Sequence, residues 1–180
     1  MLQVDAHTQI QFEQAIIATG SAPTVPPLLR DLGERVVVND DVFDWDELPR
    51  SVAVFGPGVI GLELGQALHR LGVEVIMFGV SGSLGSLSDP QLRAYAAKTF
   101  RAEFYLDPDA KVLSVTREGE SVKILFLNKD GEVAERRVDY VIAATGRAPN
   151  VRGLGLEHTS LALDRSGVPL FDRATMQCGQ

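Results

Sequence analysis

The run Ser51-Val52-Ala53-Val54-Phe55 passes straight into Gly56-Pro57-Gly58-Val59-Ile60-Gly61, and no other stretch restricts the fold as much. Five β-prone residues that end at a glycine-rich turn predict a strand that stops abruptly. Ile60, Leu64, Ala67, Leu68 and Leu71 then recur at helical spacing until Gly72, a residue suited to a helix C-terminus. A second apolar strand, Val73 to Phe78, follows at once. Strand, turn, helix and strand within about 30 residues make a βαβ unit with a right-handed crossover. In such a turn the glycines have separate tasks. Gly56 permits the tight reversal, Gly58 lets the backbone approach a pyrophosphate, and Gly61 lets the helix lie close to the sheet. With Pro57, Val59 and Ile60 they form a candidate phosphate turn, because the helix N-terminus offers free N–H groups and about half a positive charge.

The remaining chain fits the same α/β class. Phe12 to Ala18 ends in a strand-like apolar run that Thr19-Gly20-Ser21 stops, and Pro23, Pro26 and Pro27 predict a long turn after it. Residues 39–47, rich in acids, read as a solvated linker or a short capped helix. Residues 79–88 form a Gly/Ser-rich loop; with no paired base, the hydroxyls clustered from Ser81 to Ser88 read as a mobile loop rather than nucleophiles. Ser88 and Asp89 cap a helix that Pro90 opens, and Phe104 to Leu106 form another short strand. Lys111–Thr116, Ser121–Asn128 and a third run before Asp139 predict antiparallel hairpins inserted on the parallel sheet. Tyr140 to Ala144 is a last buried strand. One internal echo stands out: residues 16–23 and 141–149 each carry an apolar run, then Thr-Gly, one residue, then Ala-Pro.

Composition excludes several classes. With 17 basic and 24 acidic residues the net charge is −7, and no basic stripe exists for a nucleic-acid partner. No apolar run reaches the roughly 18 residues of a membrane span, and the first positive charge is Arg30, so neither a membrane partner nor a signal peptide is expected; the chain reads as soluble and cytoplasmic. The single Cys178 can form neither a redox pair nor a cysteine-rich metal site, and His7, His69 and His158 are scattered. Neither metal nor catalytic residues are expected. Cofactor choice turns on the end of the second strand, where an acid usually holds the adenosine ribose and arginine marks a 2′-phosphate. That stretch reads Phe78-Gly79-Val80-Ser81, so neither selector is present. The absence of Lys and Arg from Val73 to Leu92 favours NAD over NADP, whose extra phosphate would go uncompensated.

Three segments together resemble the pyridine nucleotide–disulfide oxidoreductases, and within them most the dihydrolipoamide dehydrogenases: Ala18-Thr19-Gly20-Ser21-Ala22-Pro23, the run from Ser51 to Gly65, and Ala144-Thr145-Gly146-Arg147-Ala148-Pro149-Asn150. The resemblance implies a Rossmann-like FAD/NAD(P)-binding fold and a piece of a larger homodimeric flavoenzyme, with 1–47 as the tail of an FAD-binding domain plus linker. It further implies an NAD-binding domain over 48–150 and a return toward the FAD domain over 151–180. It places Thr19, Gly20 and Ser21 at FAD, Gly56 through Glu63 at the NAD phosphates, and Gly79, Val112 and Gly146 at further NAD positions. Glu63 matches a glutamate beside the flavin, against which stands the reading of an ordinary first-turn acid. In the whole enzyme a dithiol substrate would pass electrons through a disulfide and FAD to NAD, and this piece alone would be inactive. Two alternatives remain: a stand-alone dinucleotide-binding or regulatory module, and another member of the superfamily such as a transhydrogenase, glutathione reductase or mercuric reductase.

Overall fold

A computed structural model describes residues 1–179. The chain forms two compact units. Residues 23–147 make the larger one; residues 1–22, with the described residues from 148 onward, make the smaller. Chain order runs β1 (Leu2–Gln3), β2 (Gln9–Ile10), β3 (Ser21–Pro23), β4 (Val36–Val37), β5 (Ser51–Phe55), α1 (Val59–Arg70), β6 (Glu74–Phe78) and α2 (Pro90–Arg101). There follow β7 (Tyr105–Asp107), β8 (Val112–Glu118), β9 (Ser121–Leu127), β10 (Val133–Val138), β11 (Tyr140–Ala143) and β12 (Arg147–Pro149).

Every residue of β5 is buried, as expected for a strand covered on both faces. It lies at the centre of a parallel sheet of order β4-β11-β5-β6-β7, with Val54 opposite Met77 on one side and Ile142 on the other. The period of two divides its side chains between two cores. Val52 and Val54 join Val75, Met77 and Ile142 in the core that α1 and α2 cover through Leu62, Leu68 and Ala97. Ala53 and Phe55 join Ile76, Phe78, Val141 and Ala143 in the opposite core, closed by Val122, Ile124 and Phe126 of the three-stranded antiparallel sheet β10-β9-β8. The larger unit is thus three layers: helices, parallel sheet and antiparallel sheet. The inserted hairpins form this separate third layer.

Local chemistry explains most element ends. Asp89 Oδ1 accepts the amides of Gln91 (2.8 Å) and Leu92 (3.0 Å), and Pro90 occupies the first helical position, so α2 starts where the sequence predicts. Asn128 Oδ1 accepts the amides of Asp130 and Glu132, both at 2.9 Å, which closes the β9–β10 turn.

Three local expectations change. The buried side of α1 is Gly61, Leu62, Gly65 and Leu68, whereas Ala67 and Leu71 are exposed. Glycines on this side bring the helix close to the sheet: a Cβ at Gly65 would lie 2.6 Å from Met77 Cε, so that flexible side chain would have to move to admit one. Phe12 to Ala18 form no strand, and Ile16 is 93% exposed, because no neighbouring strand offers this segment a ladder. Finally, the proline-rich stretch is more than a turn. It carries a 3-10 segment, Pro27–Arg35, which sinks Leu29 and Leu32 into the core beneath the antiparallel sheet, and leads into β4 at the edge of the parallel sheet. The acidic stretch holds a short 3-10 turn, Asp41–Asp44, with Asp41 accepting the Val38 amide at 2.8 Å.

Within the smaller unit, β1 and β2 form an antiparallel hairpin whose turn is held by Asp5, and isolated bridges join Leu163 to Pro169 and Phe171 to Cys178.

Candidate functional site

β5 ends at Phe55, and the chain reverses through Gly56, whose φ of +105° only glycine adopts without strain. A Cβ on Gly56 would collide with the Ala144 carbonyl, and one on Gly61 with the Gly56 carbonyl; both glycines are imposed by packing. Gly58 differs: a Cβ there meets nothing within 4 Å. It is the N-cap of α1 and no side chain caps it, so the amides of Val59, Ile60 and Gly61 lack intrahelical acceptors, while Leu62 N–H already donates to the Gly58 carbonyl at 2.9 Å. Open space therefore faces unsatisfied donors at the positive end of a 12-residue helix.

That space belongs to a cavity of about 480 Å³ over the carboxyl ends of β5, β6 and β11. Gly56, Pro57, Gly58, Gly79, Val112 and Gly146 all line it, although they come from four separate parts of the chain. Gly146 (φ +116°) stands at the far wall, its carbonyl held by the Thr24 amide (3.0 Å) and hydroxyl (3.1 Å), while the Thr145 hydroxyl donates to the Thr24 carbonyl at 2.9 Å. Thr24 thus fixes the wall, and sequence reasoning overlooked it. Leu28 and Ala110 also line the cavity and were not singled out either, while Ser81 and Ser83, read from sequence only as part of a mobile loop, line it as well.

The loop after β6 is fastened to the turn. Gly79 N–H donates to the Asp107 carbonyl (2.8 Å), Gly82 to Pro108 (3.1 Å) and Gly85 to Pro57 (2.7 Å), and Leu84 is 1% exposed in the helix-side core. The mobile loop expected from its Gly/Ser content is in fact pinned in its middle. Ser81, at φ +60°, places its hydroxyl 3.4 Å from that of Ser83 at the cavity.

Not every candidate residue gathers here. Glu63 is exposed at the fifth position of α1, beyond the first turn, and does not line the cavity. Thr19, Gly20 and Ser21 belong to the smaller unit, where Gly20 has a φ of +70° and its carbonyl accepts the Asn150 amide at 2.9 Å. A second hollow of about 410 Å³ opens at the amino ends of the strands, with Arg50, His69, Glu74 and Glu103 of mixed charge around it. Ligands of open α/β sheets bind at the carboxyl ends of the strands, which favours the glycine cavity.

No charged residue lines that cavity, so its walls hold no acid–base pair; its polar equipment is amide, carbonyl and hydroxyl groups, suited to binding rather than to bond making. Among the described residues no cluster of His, Cys, Asp and Glu could hold a metal ion, and no helix is long and apolar enough to cross a membrane.

A model of the family described as pyridine nucleotide-disulphide oxidoreductase matches residues 2–177. The chain is 30% identical to dihydrolipoyl dehydrogenase of Bacillus subtilis (strain 168) over 155 residues, which cover 84% of this chain and 32% of that protein. It is also 30% identical to mercuric reductase of Shigella flexneri, over 91% of this chain and 29% of the other. Among solved structures, LpdA from Mycobacterium tuberculosis superposes with a TM-score of 0.71 at 30% identity, covering 87% of this chain and 34% of LpdA. The chain spans about a third of the length of the relatives it matches.

Proposed function

Because the chain belongs to the pyridine nucleotide-disulphide oxidoreductase family, a family of oxidoreductases that use FAD and a pyridine nucleotide, we propose that its larger unit is the NAD(H)-binding part of a flavin-dependent disulfide oxidoreductase. The observation that carries this reading is the open Gly58 cradle: the residue that caps α1 has no side chain, lines the cavity at the carboxyl ends of the strands, and directly precedes the helix's uncapped amides. A pyrophosphate fits such donors, and nothing charged in the walls competes for them.

Within that reading, Gly56 and Gly61 shape the turn, Gly58, Val59 and Ile60 present amides to the phosphates, and Val112 and Gly146 border the nicotinamide half. The nucleotide supplies or accepts a hydride; this chain supplies its position beside a flavin. Thr19, Gly20 and Ser21 are the proposed FAD contacts of the smaller unit, whose exposed Ile16 and Phe12 fit a segment made to be covered in a larger, dimeric, cytoplasmic protein. A dithiol substrate of the dihydrolipoamide type is the preferred electron donor. Mercuric reductase matches at the same identity as the first dihydrolipoyl dehydrogenase, which keeps that chemistry as the second reading.

Calorimetric titration with NADH tests the cradle. The chain is expected to bind NADH, to purify without flavin colour and to give no NADH-dependent lipoamide reduction, since Cys178 has no partner thiol in the sequence. Gly58→Glu is expected to weaken NADH binding by at least about 100-fold with an unchanged circular dichroism spectrum, because a carboxylate there repels the pyrophosphate but meets no protein atom at its Cβ. Equal affinities in the two proteins would move the nucleotide elsewhere.

A further inference from the structure

Pro57 and Gly79 are both buried and face each other across the rim of the glycine cavity. A Cβ on Gly79 would lie 2.5 Å from Pro57 Cγ, 2.7 Å from Pro57 Cδ and 2.6 Å from the Pro108 carbonyl oxygen. Two of these atoms belong to a rigid ring and the third to backbone, so none can swing aside as a flexible side-chain end would. The position is fastened further, since Gly79 donates to the Asp107 carbonyl and its own carbonyl accepts the Ala110 amide at 2.9 Å. Position 79, where an acid reads the adenosine ribose in sites of this kind, is therefore closed to any side chain. An acid substituted at 79, which sequence alone would suggest as a way to tighten NADH, meets Pro57 before it meets a ribose.

What the cavity offers beyond that point is neutral. Ser81 and Ser83 line it with hydroxyls that can donate to a phosphate oxygen or exchange hydrogen bonds with a ribose hydroxyl, and no carboxylate or cation lies among the lining residues. Resting on the dinucleotide reading above, we propose that Pro57 sets cofactor selectivity in this chain by excluding a ribose-reading acid, leaving Ser81 and Ser83 to meet the adenosine 2′ position and to accept both NADH and NADPH. A 2′-phosphate there gains no cation but suffers no adjacent carboxylate, and at the open rim it keeps its water. Discrimination between the two nucleotides is then small, unlike that of a site in which an acid both bonds the 2′-OH and repels the phosphate. NAD is favoured only by the net charge of −7, a long-range effect that salt removes.

The test is titration of the whole chain with NADH and NADPH at one ionic strength near physiological, read as the ratio of dissociation constants. The expected wild-type ratio lies within about tenfold of unity. Ser81→Asp puts a carboxylate at the rim on a residue type that tolerates the φ of +60°, and is expected to raise the NADPH:NADH ratio at least tenfold, mainly by weakening NADPH. Gly79→Ala is expected to weaken both nucleotides at least tenfold by pushing the turn, and Pro57→Ala combined with it to recover part of that loss; circular dichroism on each variant separates displacement of the turn from loss of fold. A wild-type preference of 100-fold either way, or a ratio unmoved by Ser81→Asp, overturns the selectivity proposal while leaving dinucleotide binding in place. Failure of the wild type to bind either nucleotide overturns the binding reading and this proposal with it.

Discussion

Ile16 and Ile142 hold equivalent places in the two copies of the apolar, Thr-Gly, Ala-Pro pattern, yet Ile142 is 0% exposed and Ile16 93%. The segment around Ile142 is β11, paired in parallel with β4 on one side and β5 on the other. The segment around Ile16 pairs with nothing and forms no strand. Nearly the same side chains thus give two outcomes, and the difference is the neighbour. A strand is a property of a ladder, and β-propensity measures how well a side chain suits a pleated surface that something else must supply. The positive φ of the Thr-Gly turn survives in both copies, at Gly20 and Gly146, because it is a local property of glycine, while the hydrogen bonds that tie each turn reach far along the chain within its own unit.

The largest expected effect breaks the comparison at its core. Ile142→Ala is expected to destabilise the larger unit by about 2–5 kcal/mol, because it removes buried methylenes between two strands and a helix layer. Ile16→Ala is expected to change stability by less than about 0.5 kcal/mol. The single tryptophan, Trp45, lies 5.4 Å from Tyr140 of β11 between ring centroids, so urea unfolding followed by its fluorescence reports the first variant directly. A comparable loss for Ile16→Ala in far-ultraviolet circular dichroism would mean that the first copy does have a neighbour in solution.

A smaller effect separates the turns. Gly146 has a φ of +116°, outside the left-handed helical well, so Gly146→Ala is expected to cost about 2 kcal/mol although the added methyl meets no atom. Gly20, at +70°, lies close to that well, and Gly20→Ala is expected to cost roughly 1 kcal/mol. Unfolding of the larger unit measures the former; amide exchange at Asn150, which donates to the Gly20 carbonyl, measures the latter.

The smallest effect is electrostatic. Hydrogen bonds from Lys123 and Arg137 across the antiparallel sheet hold the Glu118 carboxyl below its ordinary range. In the smaller unit the Thr175 and Ala174 amides, with the Thr175 hydroxyl, do the same for Asp172. Both pKa values are depressed by folding, so each group contributes stability above the ordinary carboxylate range, and that contribution is lost as pH falls through the depressed value, below about pH 4. Carboxylate titration by NMR in about 1 M salt is expected to move Glu118 up toward its ordinary value, since exposed ion pairs are screened, and to leave Asp172 nearly where it was, since its partners are fixed amides. Equal movement of the two would remove this distinction between the units.

Much of the larger unit was legible because its signals are local. β5, the glycine turn, β6 and the Asp89-Pro90 start of α2 follow from residues within a few positions of one another. The buried side of α1 was only partly legible: Leu68 belongs to the apolar series, but counting apolar side chains passes over Gly61 and Gly65, which bury where a backbone must come close. The strand over Phe12–Ala18 and the buried role of Leu29 and Leu32 depend on partners far along the chain, which no local pattern contains. The cavity divides the same way. Gly56 to Gly61 announce themselves, Val112 and Gly146 came only through resemblance, and Thr24, Leu28 and Ala110 enter through long-range folding. For Gly79 the missing acid was visible in sequence, but its cause, the ring of Pro57, was visible only in three dimensions.

The burial of Leu84, together with the Gly85-to-Pro57 hydrogen bond, has a kinetic consequence. A loop that must order around its ligand adds a slow isomerisation to association and charges the complex for lost chain entropy. Here the middle of that loop is already anchored before any ligand arrives. Stopped-flow mixing with NADH is therefore expected to give one exponential phase whose rate rises linearly with nucleotide concentration. Leu84→Ala, by releasing the anchor, is expected to introduce a second phase that saturates.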